Sequence, residues 1–216
     1  MNIYQKLTTA AVAAVCATTS AQVVLNEDLT GTVGVGNIPT DWFAWSGSAD
    51  TCDTAGPFNN TGNPWVLSPN GGTFVRGGST GTGVNEAIAQ NLTGFTGGQS
   101  YTIEFWHTNL GFQQPGGSWV GADGFWRFYA DGTAFGDAVT LSKQTLAVDD
   151  IVWSFGTLSF VAPADDFELA IASQFAGGPG TAAYMGIDGV RIRPIPAPAS
   201  ATLLVLGGVC AARRRR

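Results

Sequence analysis

The sequence predicts an all-β protein in which two antiparallel sheets pack face to face as a β-sandwich. Three observations predict it. Thirty glycines punctuate the 216 residues, apolar side chains recur with a period of two in short runs, and no stretch carries the 3.6-residue period of an amphipathic helix. Charged residues make up only 12% of the chain, while Thr, Ser and Asn are abundant, the composition of short strands joined by turns.

The first element is not part of the fold. Lys6 precedes the apolar run 7–17, and Thr19-Ser20-Ala21 supplies small residues ahead of a cut before Gln22, so residues 1–21 read as a secretory signal peptide, the substrate of a signal peptidase. Cys16 follows Ala13-Ala14-Val15, which lacks the leucine and the adjoining small residue of a lipid-attachment site.

Residues 22–193 form the predicted domain. The run Tyr101-Thr102-Ile103-Glu104-Phe105-Trp106 places Tyr101, Ile103 and Phe105 on one face of a strand and Thr102, Glu104 and Trp106 on the other. Phe167, Leu169 and Ile171 repeat the pattern. Further strands are expected at 23–25, 73–76, 87–92, 125–130, 151–161 and 184–192, separated by Gly94, Gly97-Gly98, Asp131-Gly132, Pro163-Ala164-Asp165 and Gly177-Gly178-Pro179-Gly180. About eight strands at this spacing suit a two-sheet sandwich. Residues 31–70 have no counterpart in this scheme, and 111–123 reads as a long loop.

Charge narrows the partners. Without the terminal segments, five basic residues face sixteen acidic ones, a net charge of −11, so phosphate backbones and anionic lipid surfaces are repelled and no nucleic-acid partner is expected. Cys52 would stand alone once Cys16 and Cys210 are removed, which leaves no disulfide framework. The single histidine, His107, excludes a multi-imidazole metal site, and no sequence neighbour supplies it with a nucleophile.

The tail has its own order. Pro196-Ala197-Pro198 leads into an apolar run over 201–212, closed by Arg213-Arg214-Arg215-Arg216. Twelve such residues at about 1.5 Å each reach only ~18 Å as a helix against a ~30 Å bilayer core, so transient membrane insertion fits better than a permanent anchor. Residues 194–216 resemble the PEP-CTERM sorting tail of exported bacterial proteins, with Ala197 where that family carries glutamate between the prolines. The resemblance implies an exosortase-type membrane protease as partner and a cell-surface or extracellular-matrix location, with Pro196, Pro198 and Arg213 to Arg216 as the sorting signal.

A second resemblance covers most of the domain. The stretch 89–105, from Ala89-Gln90-Asn91-Leu92 through Gly98-Gln99-Ser100-Tyr101-Thr102-Ile103-Glu104-Phe105, the closing Ile187-Asp188-Gly189-Val190-Arg191-Ile192, and the opening Leu25-Asn26-Glu27-Asp28 resemble the galactose-binding-like jelly rolls, a group containing many carbohydrate-binding modules. It implies a jelly-roll sandwich, extracellular polysaccharide as partner, and a structural calcium between the opening and closing strands, held by Glu27 or Asp28 and Asp188. Oxygen ligands suit that hard cation; a turn amide is the other expected partner of Asp188.

The residues themselves point to binding more than to catalysis. Seven tryptophans offer indole faces on which sugars stack. Trp106 beside Glu104 on an outward strand face is the first candidate, with Trp119, Trp126 and Arg127 as further members of an aromatic and polar patch. Buried aromatics that close the sandwich are the competing reading for each tryptophan. The acidic residues sit mostly where Asp starts turns, and no serine lies in a Gly-x-Ser-x-Gly turn. The expectation is therefore a non-catalytic polysaccharide-binding module, the alternatives being a purely structural matrix protein and a glycan hydrolase.

Overall fold

The computed structural model describes residues 24–57, 65–83, 85–113, 119–143 and 151–196. Twelve strands run through them: β1 (Phe43–Ser46), β2 (Asp50–Cys52), β3 (Phe74–Thr80), β4 (Ala87–Leu92), β5 (Ser100–Asn109), β6 (Phe112–Gln113), β7 (Trp119–Val120), β8 (Asp123–Ala130), β9 (Thr133–Asp137), β10 (Ser154–Val161), β11 (Phe167–Gly177) and β12 (Ala182–Pro194). Two five-stranded sheets, in the orders β1-β4-β11-β8-β9 and β10-β5-β12-β3-β2, make a jelly-roll-type β-sandwich, with β6-β7 as a small third sheet. Every pairing is antiparallel.

The period-two pattern decides what lies between the sheets. From the first sheet Ile88, Trp126, Phe128, Leu169 and Ile171 turn inward; from the second, Val75, Tyr101, Ile103, Phe105 and Ile187 meet them. The inward face expected of Tyr101, Ile103 and Phe105 is the one observed. A smaller cluster, Cys52, Trp65, Phe74 and Leu110 with Trp153 packed on it, is set apart from this main core. Burial there pushes the Cys52 thiol well above its usual range.

Where the strands differ from expectation, local chemistry explains it. No opening strand forms at 24–25. Asn26 adopts φ 52°, accepts from Thr30 N at 2.9 Å and donates to the Thr30 and Thr40 carbonyls at 2.7 Å, so the chain turns instead of extending. Residues 151–153 precede β10 as irregular chain. Strands β1 and β2 arise within 31–70, and β6 and β7 within the expected loop. Asp131-Gly132 is a two-residue hairpin turn with both φ values positive, 47° and 73°, and it starts β9.

The predicted signal peptide and most of the sorting tail, Pro198 and Arg213 to Arg216 included, lie outside the described residues. Pro196 is exposed just beyond β12.

Candidate functional site

Two aromatic platforms occupy opposite outer faces of the sandwich. The first is built on small residues. Ala87 and Ala89 on β4 and Ala170 and Ala172 on β11 alternate with the inward Ile88 and Ile171, so the outer face of the first sheet has a floor of methyl groups. The order β1-β4-β11-β8 puts about 14 Å between β1 and β8 at the usual strand spacing. Yet the Trp45 ring on β1 lies 5.0 Å from that of Tyr129 on β8. Only methyl side chains beneath leave room for the indole and phenol to meet over the two middle strands.

Polar groups fix and surround this indole. Trp45 donates from Nε1 to Glu168 Oε1 at 2.7 Å, and Glu168 donates its backbone N–H to Asp131 Oδ1 at 2.9 Å. Arg127, registered beside Ala172, makes a two-pronged pair with Asp137, 2.6 and 2.8 Å, and its guanidinium sits 5.4 Å over Phe125. Beside Phe125, Gln174 accepts from Asn85 at 3.3 Å while its Nε2 is buried with no hydrogen-bond partner. Trp45 is 37% exposed and Phe43 joins it along the edge. An immobilised indole with a carboxylate at its N–H and a guanidinium farther along the same face suits a ligand with an apolar face and a hydroxyl rim.

The second platform lies on the other sheet. Trp106 on β5 points outward, as expected, and meets Phe155 on β10 edge-on at 5.1 Å; Phe155 is 53% exposed. Glu104, two residues along the same face, accepts from Arg193 at 3.3 Å. Gly189, at φ 63°, lies where a Cβ would overlap the Asn70 side-chain amide and stand 3.2 Å from the Trp106 ring, so glycine lets the β12 bulge pass beside both.

The structure divides the expected patch. Trp106 and Glu104 belong to one sheet and Arg127 to the other, so they form no common site. Trp126 is a correction: its neighbour Arg127 faces out, so Trp126 faces in, is 0% exposed and donates from Nε1 to the Gly186 carbonyl across the sandwich at 3.0 Å. It is core, not a ligand platform. The Trp119 side chain lies outside the described residues. Trp45 and Tyr129, which sequence reasoning did not nominate, carry the first platform; the paired alanines Ala87/Ala89 and Ala170/Ala172 were the available signal for an outer face open to a large ring.

At the expected calcium site the opening segment and last strand do meet, with Val190 N donating to Glu27 O at 2.8 Å. The carboxylates there are otherwise engaged. Arg191 binds Glu27 at 3.2 Å and Asp28 at 2.9 Å, while Asp188 is buried, accepting from the Ser68 hydroxyl and, at 2.7 Å, from Gly189 N. Among the described residues no three His, Cys, Asp or Glu side chains converge on a metal-sized site. The pair of carboxylates expected to share a calcium, Glu27 or Asp28 with Asp188, is thus held by separate partners, Arg191 on one side and Ser68 with Gly189 on the other.

No protein-family model and no curated protein sequence matches the chain. Solved structures do. The chain is similar to an apo cyclase from Fischerella sp., at 17% identity and a TM-score of 0.52, covering 82% of this chain and 91% of that one. It is also similar to TmCBM61 in complex with β-1,4-galactotriose, at 11% identity and a TM-score of 0.45, covering 82% and 100%. A third likeness is to the CBM22-1–GH10 modules of a Clostridium thermocellum endo-1,4-β-D-xylanase complexed with xylohexaose, at 10% identity and 0.44; it covers 82% of this chain but only 29% of that longer one. At 17% identity the likeness to the cyclase is one of fold alone.

Proposed function

We propose that this protein is an exported, surface- or matrix-located module that binds extracellular polysaccharide without turning it over. The observation that carries the reading is the Trp45 platform: an exposed indole held at its N–H by Glu168, against Tyr129, with the Arg127–Asp137 pair beside it. Arg127 is matched by Asp137 while Glu168 and Asp131 accept only N–H donors, so the face offers stacking and hydrogen bonds with a small negative excess, which favours neutral sugars over polyanions.

A glycan array paired with a reducing-sugar assay tests this. Trp45→Ala should weaken polysaccharide binding by about 1–3 kcal/mol, the loss of one stacking anchor, with no turnover by the parent. Release of reducing sugar that disappears in Glu104→Gln would replace the reading with a hydrolase; parent protein that binds no glycan would leave a structural matrix role.

Export and sorting rest on the two ends of the chain. Mass determination of the native surface protein should find the four-arginine end removed, and an intact Arg213–Arg216 terminus in the membrane fraction would contradict processing by an exosortase-type protease.

A further inference from the structure

We infer that the protein cross-links polysaccharide: Trp106 with Phe155 forms a second carbohydrate platform, on the sheet opposite Trp45 and facing the other way, so that one molecule holds two glycan chains. The inference rests on the reading of the Trp45 face as a polysaccharide site.

The second platform has its own parts. Trp106 stands on β5 with its direction fixed by the inward Phe105 and His107 on either side, and register pairs it with Phe155, so the two rings meet edge to face on an outer sheet surface. Phe155 belongs to β10, the edge strand of its sheet, where a large exposed aromatic gains nothing from the core and is left open to a partner. Along the same face Thr157, Glu104 and Arg191 follow, in register with one another across β10, β5 and β12.

Charge identifies the occupant. Glu104 is paired with Arg193, Arg191 with Glu27 and Asp28, and Asp188, in register with Trp106, is buried and bonded to the Ser68 hydroxyl and Gly189 N, so each charged side chain of the strip is already engaged. A polyanion or polycation would have to break these pairs; a neutral polymer of hydroxyls and C–H faces need not. That is the same ligand chemistry as at Trp45, presented by an unrelated set of strands.

Geometry then separates one chain from two. Packed sheets lie about 10 Å apart, and the platforms sit on their outer surfaces, pointing away from each other. A single stiff glycan chain would have to fold around a sheet edge to touch both, whereas two separate chains engage without bending. A module with two outward sites becomes a node, and many nodes on long polymers form a network.

The test uses soluble β-1,4-galactan and β-1,4-xylan with the domain over residues 22–196, reading retention in affinity gels, light scattering on mixing, and binding stoichiometry with short oligosaccharides of the retained polymer. The parent should bind two oligosaccharides per protein and raise scattering of the polymer at least several-fold. Trp106→Ala should lower the stoichiometry to one and abolish the scattering rise, and Trp45→Ala should do the same through the other site. Phe155→Ser, on an exposed edge, serves where Trp106→Ala fails to fold by circular dichroism. A parent that binds one oligosaccharide, or a Trp106→Ala or Phe155→Ser protein that still cross-links as the parent does, overturns the second site while leaving the first intact. Retention by neither polymer removes the polysaccharide reading and the inference together.

Discussion

Trp126→Ala is expected to unfold the sandwich more readily than any change on its surface, costing about 3–5 kcal/mol, or roughly 10 °C in midpoint for a domain of this size. The indole is fully buried and does two jobs. It fills the space between the sheets against β3, where Gly77 has no side chain because a Cβ would lie 2.7 Å from the Trp126 ring and 3.1 Å from Ser173. It also carries the N–H that reaches Gly186 in the facing sheet. Trp126→Phe keeps most of the packing and leaves that carbonyl without its donor, a loss of about 1–3 kcal/mol. Chemical denaturation of both variants checks the order, Ala worse than Phe worse than parent. A stable Trp126→Ala protein that has lost glycan binding would return Trp126 to the surface and undo the assignment of faces along β8.

That residue also shows what was legible. A period of two already put Trp126 and Arg127 on opposite faces, so placing both in one patch conflicted with the rule that located Trp106 correctly. What the sequence could not supply was sheet membership. β5 and β8 both read as strong alternating strands, but nothing local tells that β5 pairs with β10 and β12 while β8 pairs with β11 and β9.

Strand β4, at Ala87–Leu92, has the bounds expected of it because a polar turn closes each end. Strands β1 and β2 were missed for opposite reasons: every residue of β1 is exposed and every residue of β2 is buried, and neither pattern alternates. The Trp45–Tyr129 contact depends on the order of four strands drawn from distant parts of the chain, information that becomes local only after folding.

The largest pH effect should come from two buried groups that oppose one another. Burial pushes the Asp188 carboxyl up to about 7, against the smaller lowering effect of its Ser68 and Gly189 bonds. Burial likewise pulls His107, 2% exposed with Nδ1 lacking a hydrogen-bond partner, down to about 4. Between pH 4 and 7 the folded protein keeps a proton on Asp188 that the unfolded chain has released, so this group makes stability fall as pH rises. Between pH 6.5 and 4 the unfolded chain protonates His107 and the folded protein does not, so this group makes stability fall as pH drops. Over their shared window the proton counts cancel.

Single substitutions should therefore expose each slope. Asp188→Asn retains an oxygen for Gly189 N and gives Ser68 Oγ an amide donor, and its stability should rise from pH 4.5 to 6.5. His107→Phe, packing against Phe105 as the imidazole does, should lose stability over the same range, by as much as about 1.4 kcal/mol per pH unit where the proton difference is complete. Glu86, also raised by burial, adds a falling component common to both variants, so the difference between their slopes is the readout. Thermal midpoints across pH 4–8 in a chelator supply it. Parallel curves for the two variants would mean that neither group titrates as its burial requires, and a calcium-induced rise in the parent's midpoint that vanishes in Asp188→Asn would show a cation, rather than a proton, neutralising Asp188.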